Sequence, residues 1–451
     1  MTINITEIAR VTPAADSDSV LNLASSFTIP LTFLDLPWLL FNPVKRVFFY
    51  KLTESTREHF NSIIVPKLKL SLSVVLRNYL PLSGRVIWNP NEPKPSIVIS
   101  QDDAVSVTIA ETDADFSHLS GYGQRPVAEL HKLLPELPIS DESATAFSTQ
   151  ITLFPNQGFT IGVAANHAVL DGKTSSMFIK AWAHICKHQL KNIPENLTPS
   201  YDRPLIKDMT ELDENMIEMV RSLKGDKTNI RSLTPFPSSK LGEDVVLATL
   251  VLSRDDIERL RERVKNVSPS LHLSTFVIAY AYTWTCFVKA RGGSRERSVS
   301  LLFVGDFRER LDPKLPVSYF GNCMFPVGSY NHKAVEFMED NGLVTAVGIL
   351  SDLVKGLSSR KVKTIGESFA DSFAFKSTQF GAVAGSTRLG IYESDFGWER
   401  PVKVDVVSID QGESISMAER RDESGGVEIG MCLRKTEMDK VLSFFKNDLH
   451  N

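Results

Sequence analysis

The sequence predicts a mixed α/β (α+β) chain of two domains, each a mixed sheet layered with helices. Three observations lead there. At 451 residues the chain is too long for one compact core. Strand-period and helix-period segments alternate in both halves. Between them, residues 191–245 hold Pro194, Pro199, Pro204, Pro235 and Pro237 among scattered acids. The expected division is 1–200 for the first domain, 201–240 for a crossover linker and 241–451 for the second domain.

The elements follow in order. LTFLDLPWLLF (31–41) and RVFFYKL (46–52) read as strand-rich entry segments. Residues 56–79 repeat apolar side chains every three to four positions and predict a long helix, broken or bent at Pro66. PSIVIS and VSVTIAE read as strands. FSTQITLFPNQGFTIGVAANH (147–167) is a hairpin turning at PNQG. Alternation puts Phe159, Ile161, Val163, Ala165 and His167 on one face of its second strand. A helix follows over about 173–190, and a modest one is expected near 211–223. In the second half EDVVLATLVLSRDDIERLRERV is a strand and then a helix, with Ser253 and Asp256 spaced as a capping box. STFVIAYAYTWTCFVKA (274–290) reads as a buried helix. VSLLFVGD, VKVDVVSI, SISMAER and GVEIGMCL read as strands, and KTEMDKVLSFF as a last helix.

Composition excludes several classes. Net charge is −4, so no polybasic surface exists for nucleic acid. No apolar run reaches the ~18 residues of a membrane span. The N-terminal MTINITEIAR lacks a long apolar segment, so a cytosolic location is expected. The four cysteines show no Cys-x-x-Cys spacing, which argues against a disulfide framework or zinc ribbon.

The chemistry-bearing stretch is NHAVLDG, Asn166 to Gly172, set between an apolar strand and a helix. His167 can take a proton near neutral pH. It is either a base or a core histidine bonded to backbone. Asp171 either orients the imidazole, braces the loop from behind or caps the helix. Gly172 gives the turn conformational latitude. Further on, VGDFRERLDPKLPVSYFGNCMFP (304–326) sets Arg308 beside Asp306, and SDFGWERP (394–401) packs an acid, two aromatics and a glycine together. The kinase reading of DFG fails for want of a glycine-rich loop and a His-Arg-Asp loop.

HAVLDG followed by DFGW, together with YLPLSGR, ITLFPNQG, YDRPLIKD, STFVIAYAYTWTC, SYFGNC and AGSTRLGIYESDFGW, resembles the plant BAHD acyl-CoA-dependent acyltransferases over nearly the whole chain. SYFGNC resembles the branch that acylates anthocyanin, flavonoid and phenolic glucosides. The resemblance implies a chloramphenicol acetyltransferase-like fold, an active-site channel at the domain interface and some strand exchange between domains. It implies acyl-CoA as co-substrate, with no permanently bound cofactor and no metal. His167 is then the general base, and the indole N–H of Trp398 the oxyanion candidate. Asp171 and Arg308 form a structural pair, with Gly172 and Gly397 as structural support. Asp395 is the motif residue, architectural in role. Ser274, Thr275 and Ser386 are expected near coenzyme A, as are Lys45 and Arg46.

A malonyl donor is expected first, its carboxylate met by Lys173 or Arg308. A coumaroyl donor is the alternative. The acceptor is expected to be the 6-hydroxyl of a sugar on a phenolic, and the chain a monomer. Glu399 departs from the family glycine after the tryptophan, where it can restrain the loop or pair with Arg400. It is the one support for a different reading, a non-catalytic scaffold. A His/Asp metal hydrolase is disfavoured because His184 and His188 lack ligand spacing to His167.

Overall fold

The computed structural model describes residues 1–15, 27–52, 54–89, 91–203, 210–224, 231–237, 242, 244–357, 377–411 and 414–449. Parts of the expected linker, 204–209, 225–230 and 238–240, lie outside the described residues, as does most of YDRPLIKD.

Three sheets organise the chain. The first has six strands in the order Asn4–Val11, Val105–Glu111, Phe147–Phe154, Gly158–Ala165, Val44–Lys51, Lys403–Val406. All neighbours are antiparallel except Val105–Glu111 with Phe147–Phe154. The second has seven, in the order Met324–Lys333, Ser298–Asp306, Gln379–Gly385, Ser414–Glu419, Val427–Arg434, Val245–Leu252, Arg125–Pro126. A four-stranded antiparallel sheet, Phe27–Pro30, Ser96–Ile99, Arg85–Ile87 and Ser143–Thr145, completes the first half.

Two strands cross over. Lys403–Val406, from the second half, pairs with Val44–Lys51 in the first sheet. Arg125–Pro126, from the first half, pairs with Val245–Leu252 in the second. Buried ion pairs follow the crossing: Arg125 meets Asp405, and Lys403 Nζ lies 2.9 Å from Glu428.

The Gly158–Ala165 strand is buried at every residue, so the sheet is covered on both faces. The Gly172–His188 helix covers one face, with Met177, Phe178, Ala181, Trp182 and Ile185 buried. In the second half the Thr275–Arg291 helix is buried on nearly all sides. Gly381 lets it approach the sheet, because a Cβ there would lie 2.5 Å from Trp284.

One expectation changes. LPWLL (36–40) is a 3-10 helix, not a strand: Pro37 stands in its first turn and lacks the N–H a ladder needs. The long helix is interrupted beside Pro66 as expected, by a π-helical turn over Phe60–Ile64 that leads into the Val65–Leu76 helix. The capping box of Ser253 and Asp256 is formed. The Gly342–Gly356 helix and the Gln379–Gly385 strand went unread in the sequence.

Candidate active site

The Gly158–Ala165 strand ends just before Asn166, and the turn of residues 166–171 delivers His167 beside the first turn of the Gly172–His188 helix. His167 is partly exposed. Its ring lies against Trp38, with centroids 4.2 Å apart and planes within 13°. Phe41, itself 38% exposed, stands 6.1 Å away. Nδ1 is buried without a hydrogen-bond partner, so Nε2 is the nitrogen left to meet a substrate. Burial lowers the imidazole pKa to about 4; its own backbone, Asp171 and Asn322 oppose the drop, and Arg46 adds to it. The ring is therefore neutral at neutral pH.

Asp171 does not orient this ring. It is fully buried and caps the helix, Oδ1 accepting from the Thr174 N–H at 2.9 Å. Oδ2 meets Arg308 Nη2 at 2.8 Å and accepts from the Cys323 N–H at 3.2 Å. Arg308 also bonds Asp306 and the carbonyls of Tyr319 and Gly321. It is 1% exposed, both Nη groups are committed to Asp171, Asp306 and the loop carbonyls, and only its buried Nε lacks a partner, so it is withdrawn as a receiver for the donor carboxylate. Lys173 is partly exposed, 3.4 Å from Asp306.

The SYFGNC turn reaches the histidine from the other half. Asn322 Nδ2 donates to the His167 carbonyl at 2.9 Å. Its own N–H donates to Asp35 at 2.9 Å, and Asp35 is held in turn by Thr32 and by Arg203 at 2.5 Å. Gly321 sits at φ +132°, a conformation open to glycine. Trp38, Asp35, Asn322 and Arg203 were not picked out from the sequence. The signal was present in LDLPW and YFGN: an acid, an amide and an aromatic in buried loops.

The DFGW segment is elsewhere. Trp398 packs edge-on against Phe159 at 5.5 Å, at the far end of the strand. Six residues separate Phe159 from Ala165, roughly 20 Å at 3.3 Å per residue. Trp398 is therefore withdrawn as oxyanion donor. Asp395 pairs with Lys187 at 2.6 Å and accepts from the Gly397 N–H at 2.8 Å. Lys187 lies in the last turn of the helix that begins at Gly172, some 20 Å or more from His167. Gly397 takes φ +102° against the Lys187 backbone. Phe396 packs on Tyr50 and Trp182, and the Tyr50 hydroxyl donates to the Ser394 carbonyl. This segment fastens the crossing strand to the first sheet. Glu399 is exposed at φ +68°, where glycine is at ease, and Arg400 pairs with Glu423 instead of with it.

The remaining expected residues scatter. Ser274 caps the Thr275–Arg291 helix through the Val277 N–H, and both Ser274 and Thr275 are partly exposed. Ser386 is partly exposed in the turn after Gln379–Gly385 and accepts from the Arg388 N–H. Strand alternation splits Lys45 from Arg46. Lys45 lines an open cleft of about 580 Å³ with Asn42, His131 and Glu136. Arg46 is buried under the helix start on the other face of the strand, so it does not share one phosphate site with Lys45. Gly172 needs no positive φ, and a Cβ there would meet Arg46 Nη2 at 3.4 Å, an ordinary contact. Among the described residues no group of three or more His, Cys, Asp or Glu side chains is placed to hold a metal ion. No helix there is long and apolar enough to cross a membrane.

A profile described as the Transferase family matches residues 1–448. A BAHD acyltransferase of Arabidopsis thaliana is 48% identical, over 99% of both chains. The chain belongs to the BAHD acyltransferase family. Among BAHD relatives, phenolic glucoside malonyltransferase 2 of Arabidopsis thaliana is 75% identical over the full length of both chains. An anthocyanidin 5-O-glucoside-6''-O-malonyltransferase of the same plant is 47% identical, covering 98% of this chain and 97% of its own. In fold, vinorine synthase matches with a TM-score of 0.73 at 20% identity, over 98% of both chains.

Proposed function

We propose that this BAHD enzyme transfers a malonyl group from malonyl-CoA to a sugar hydroxyl of a phenolic, flavonoid or anthocyanin glucoside. The observation that carries the reading is the 75% identity, end to end, to a phenolic glucoside malonyltransferase. The site chemistry agrees with it. Neutral His167 takes the proton of the acceptor hydroxyl as its oxygen attacks the thioester carbonyl. The C–O bond forms, the tetrahedral oxyanion collapses, the C–S bond breaks, and the imidazolium returns the proton to the thiolate. Trp38 and Asn322 hold the histidine from two sides while Asp171 and Arg308 fix the turn below it. Ser274, Thr275, Ser386 and Lys45, all partly exposed, are the proposed contacts of coenzyme A, which binds as a substrate. Domains at 1–200 and 241–451 joined through 201–240, a monomeric state and a cytosolic location complete the proposal.

A coumaroyl donor is the second reading, supported by an agmatine coumaroyltransferase of Arabidopsis thaliana at 45% identity. Coenzyme A release should be followed with malonyl-CoA, acetyl-CoA and coumaroyl-CoA against a panel of phenolic glucosides. His167→Ala is expected to fold normally and lose about 10²–10⁴-fold in turnover. Faster turnover with coumaroyl-CoA would replace the donor. Binding without turnover of any donor would favour a scaffold.

A further inference from the structure

Among the described residues, the fully buried arginines Arg125 and Arg308 each meet a carboxylate, Asp405 and Asp171, as does the half-buried Arg203, which meets Asp35. Arg46 is the exception. It is 5% exposed, and no carboxylate among the described residues lies within ion-pair distance of it. Its guanidinium makes one hydrogen bond, Nη1 to Ser176 Oγ at 3.3 Å, and its Nε is buried without a partner. A buried cation without a counter-ion is costly. That cost is offset when an anion arrives from outside. Asp171 and Glu419 act on Arg46 from a distance. Asp171 is committed to Arg308, whereas Glu419 accepts from the Ile391 N–H and keeps one buried oxygen free. Glu419 is therefore the internal competitor.

Position supports an anion site. Arg46 pairs in register with Val163, near the end of the strand that leads to His167. Nη2 would lie 3.4 Å from a Cβ at residue 172, and Leu389 Cδ1 would lie 3.7 Å from it. Gly172 thus leaves a methyl-sized space beside the guanidinium in the first turn of the helix, whose N-terminus is already capped by Asp171. Arg46 is near enough to His167 to oppose its protonation. The malonyl group has its free carboxylate one methylene from the reacting carbonyl, so whatever receives that carboxylate must sit beside the base.

We propose that Arg46 receives the free carboxylate of the malonyl donor through the gap left by Gly172, which makes Arg46 the residue that selects an anionic acyl-CoA. The proposal rests on the malonyl-transfer reading. It is tested by competition: equimolar malonyl-CoA and acetyl-CoA with one phenolic glucoside, product ratio read by mass. A hydrogen-bonded charge in a buried site is expected to contribute about 10–100-fold. Arg46→Met should lower the malonyl-to-acetyl ratio by that factor, and Arg46→Lys by less. Gly172→Ala, which keeps the cation and narrows the gap, should lower it in the same direction. A ratio unchanged in all three variants, with both products falling together, overturns the proposal and leaves Arg46 as an internal partner of Glu419. If Arg46→Met does not fold, Arg46→Lys and Gly172→Ala decide. A wild-type protein making no malonylated product would defeat the functional reading itself, a result distinct from an unchanged ratio.

Discussion

Replacing Asp171 by asparagine separates two roles that one carboxylate can play. The amide oxygen of asparagine can still accept from the Thr174 N–H, and asparagine caps helices about as well as aspartate. What is lost is the charge opposite Arg308, in a pair that is 0% and 1% exposed. Breaking a buried pair by removing one partner costs about 3–5 kcal/mol, since the other charge stays uncompensated. Here Arg308 keeps Asp306 at 3.2 Å and two carbonyls, so the lower end, about 3 kcal/mol, is expected. Urea denaturation of Asp171→Asn should show that loss as a shifted midpoint with unchanged slope. Below the transition, kcat should stay within about tenfold of wild type. Arg308→Met in the Asp171→Asn background should cost less than in the wild type, because the orphaned charge is gone. A kcat loss of 10³-fold with an unshifted midpoint would refute the bracing role and make Asp171 a partner of the imidazole.

The other expectations are shorter. Trp398→Phe should lower thermal stability by removing part of the contact with Phe159, yet keep kcat within a few-fold; a hundredfold loss would restore an oxyanion role. Glu399→Gly should stabilise by about 0.5–1 kcal/mol, since a left-handed non-glycine residue costs about 1–2 kcal/mol and glycine returns part of it as chain entropy; a destabilised variant, seen in the urea midpoint, would contradict this. For pH, the folded imidazole protonates near 4 and the unfolded one near 6.5. Between those values the unfolded chain holds more protons, so His167 subtracts stability as pH falls from about 6.5 to 4 and contributes no pH dependence above that window. The acid limb of kcat/KM assigned to His167 should accordingly fall below pH 6.5, and a midpoint at or above 6.5 would contradict the burial of the ring.

The sequence disclosed the regular parts of the fold where periodicity and punctuation are strong. The PNQG hairpin, the Ser253 capping box and the buried Thr275–Arg291 helix needed only local rules. It could not disclose that Lys403–Val406 leaves its own half, because strand partners are chosen by tertiary packing. The site shows the same limit. His167 stood out by residue type and position, but its neighbours Trp38 and Asn322 come from a 3-10 helix 129 residues before it and a turn 155 after it. Trp398 misled because a motif shared by a family need not lie near the chemistry. Its indole is held by Phe159, a full strand length away. Arg46 and Lys45, adjacent in sequence, part company because a strand turns successive side chains to opposite faces.

The two exchanged strands also fix how the molecule can move. A clamshell opening of the halves would have to strip Lys403–Val406 from Val44–Lys51 and Arg125–Pro126 from Val245–Leu252. It would also pull apart the interior pairs Arg125–Asp405 and Asp171–Arg308, each several kcal/mol to break. Such a body is latched, not hinged. Substrates must therefore enter and products leave past side chains and loop tips, and neither half separated from the other retains a complete sheet.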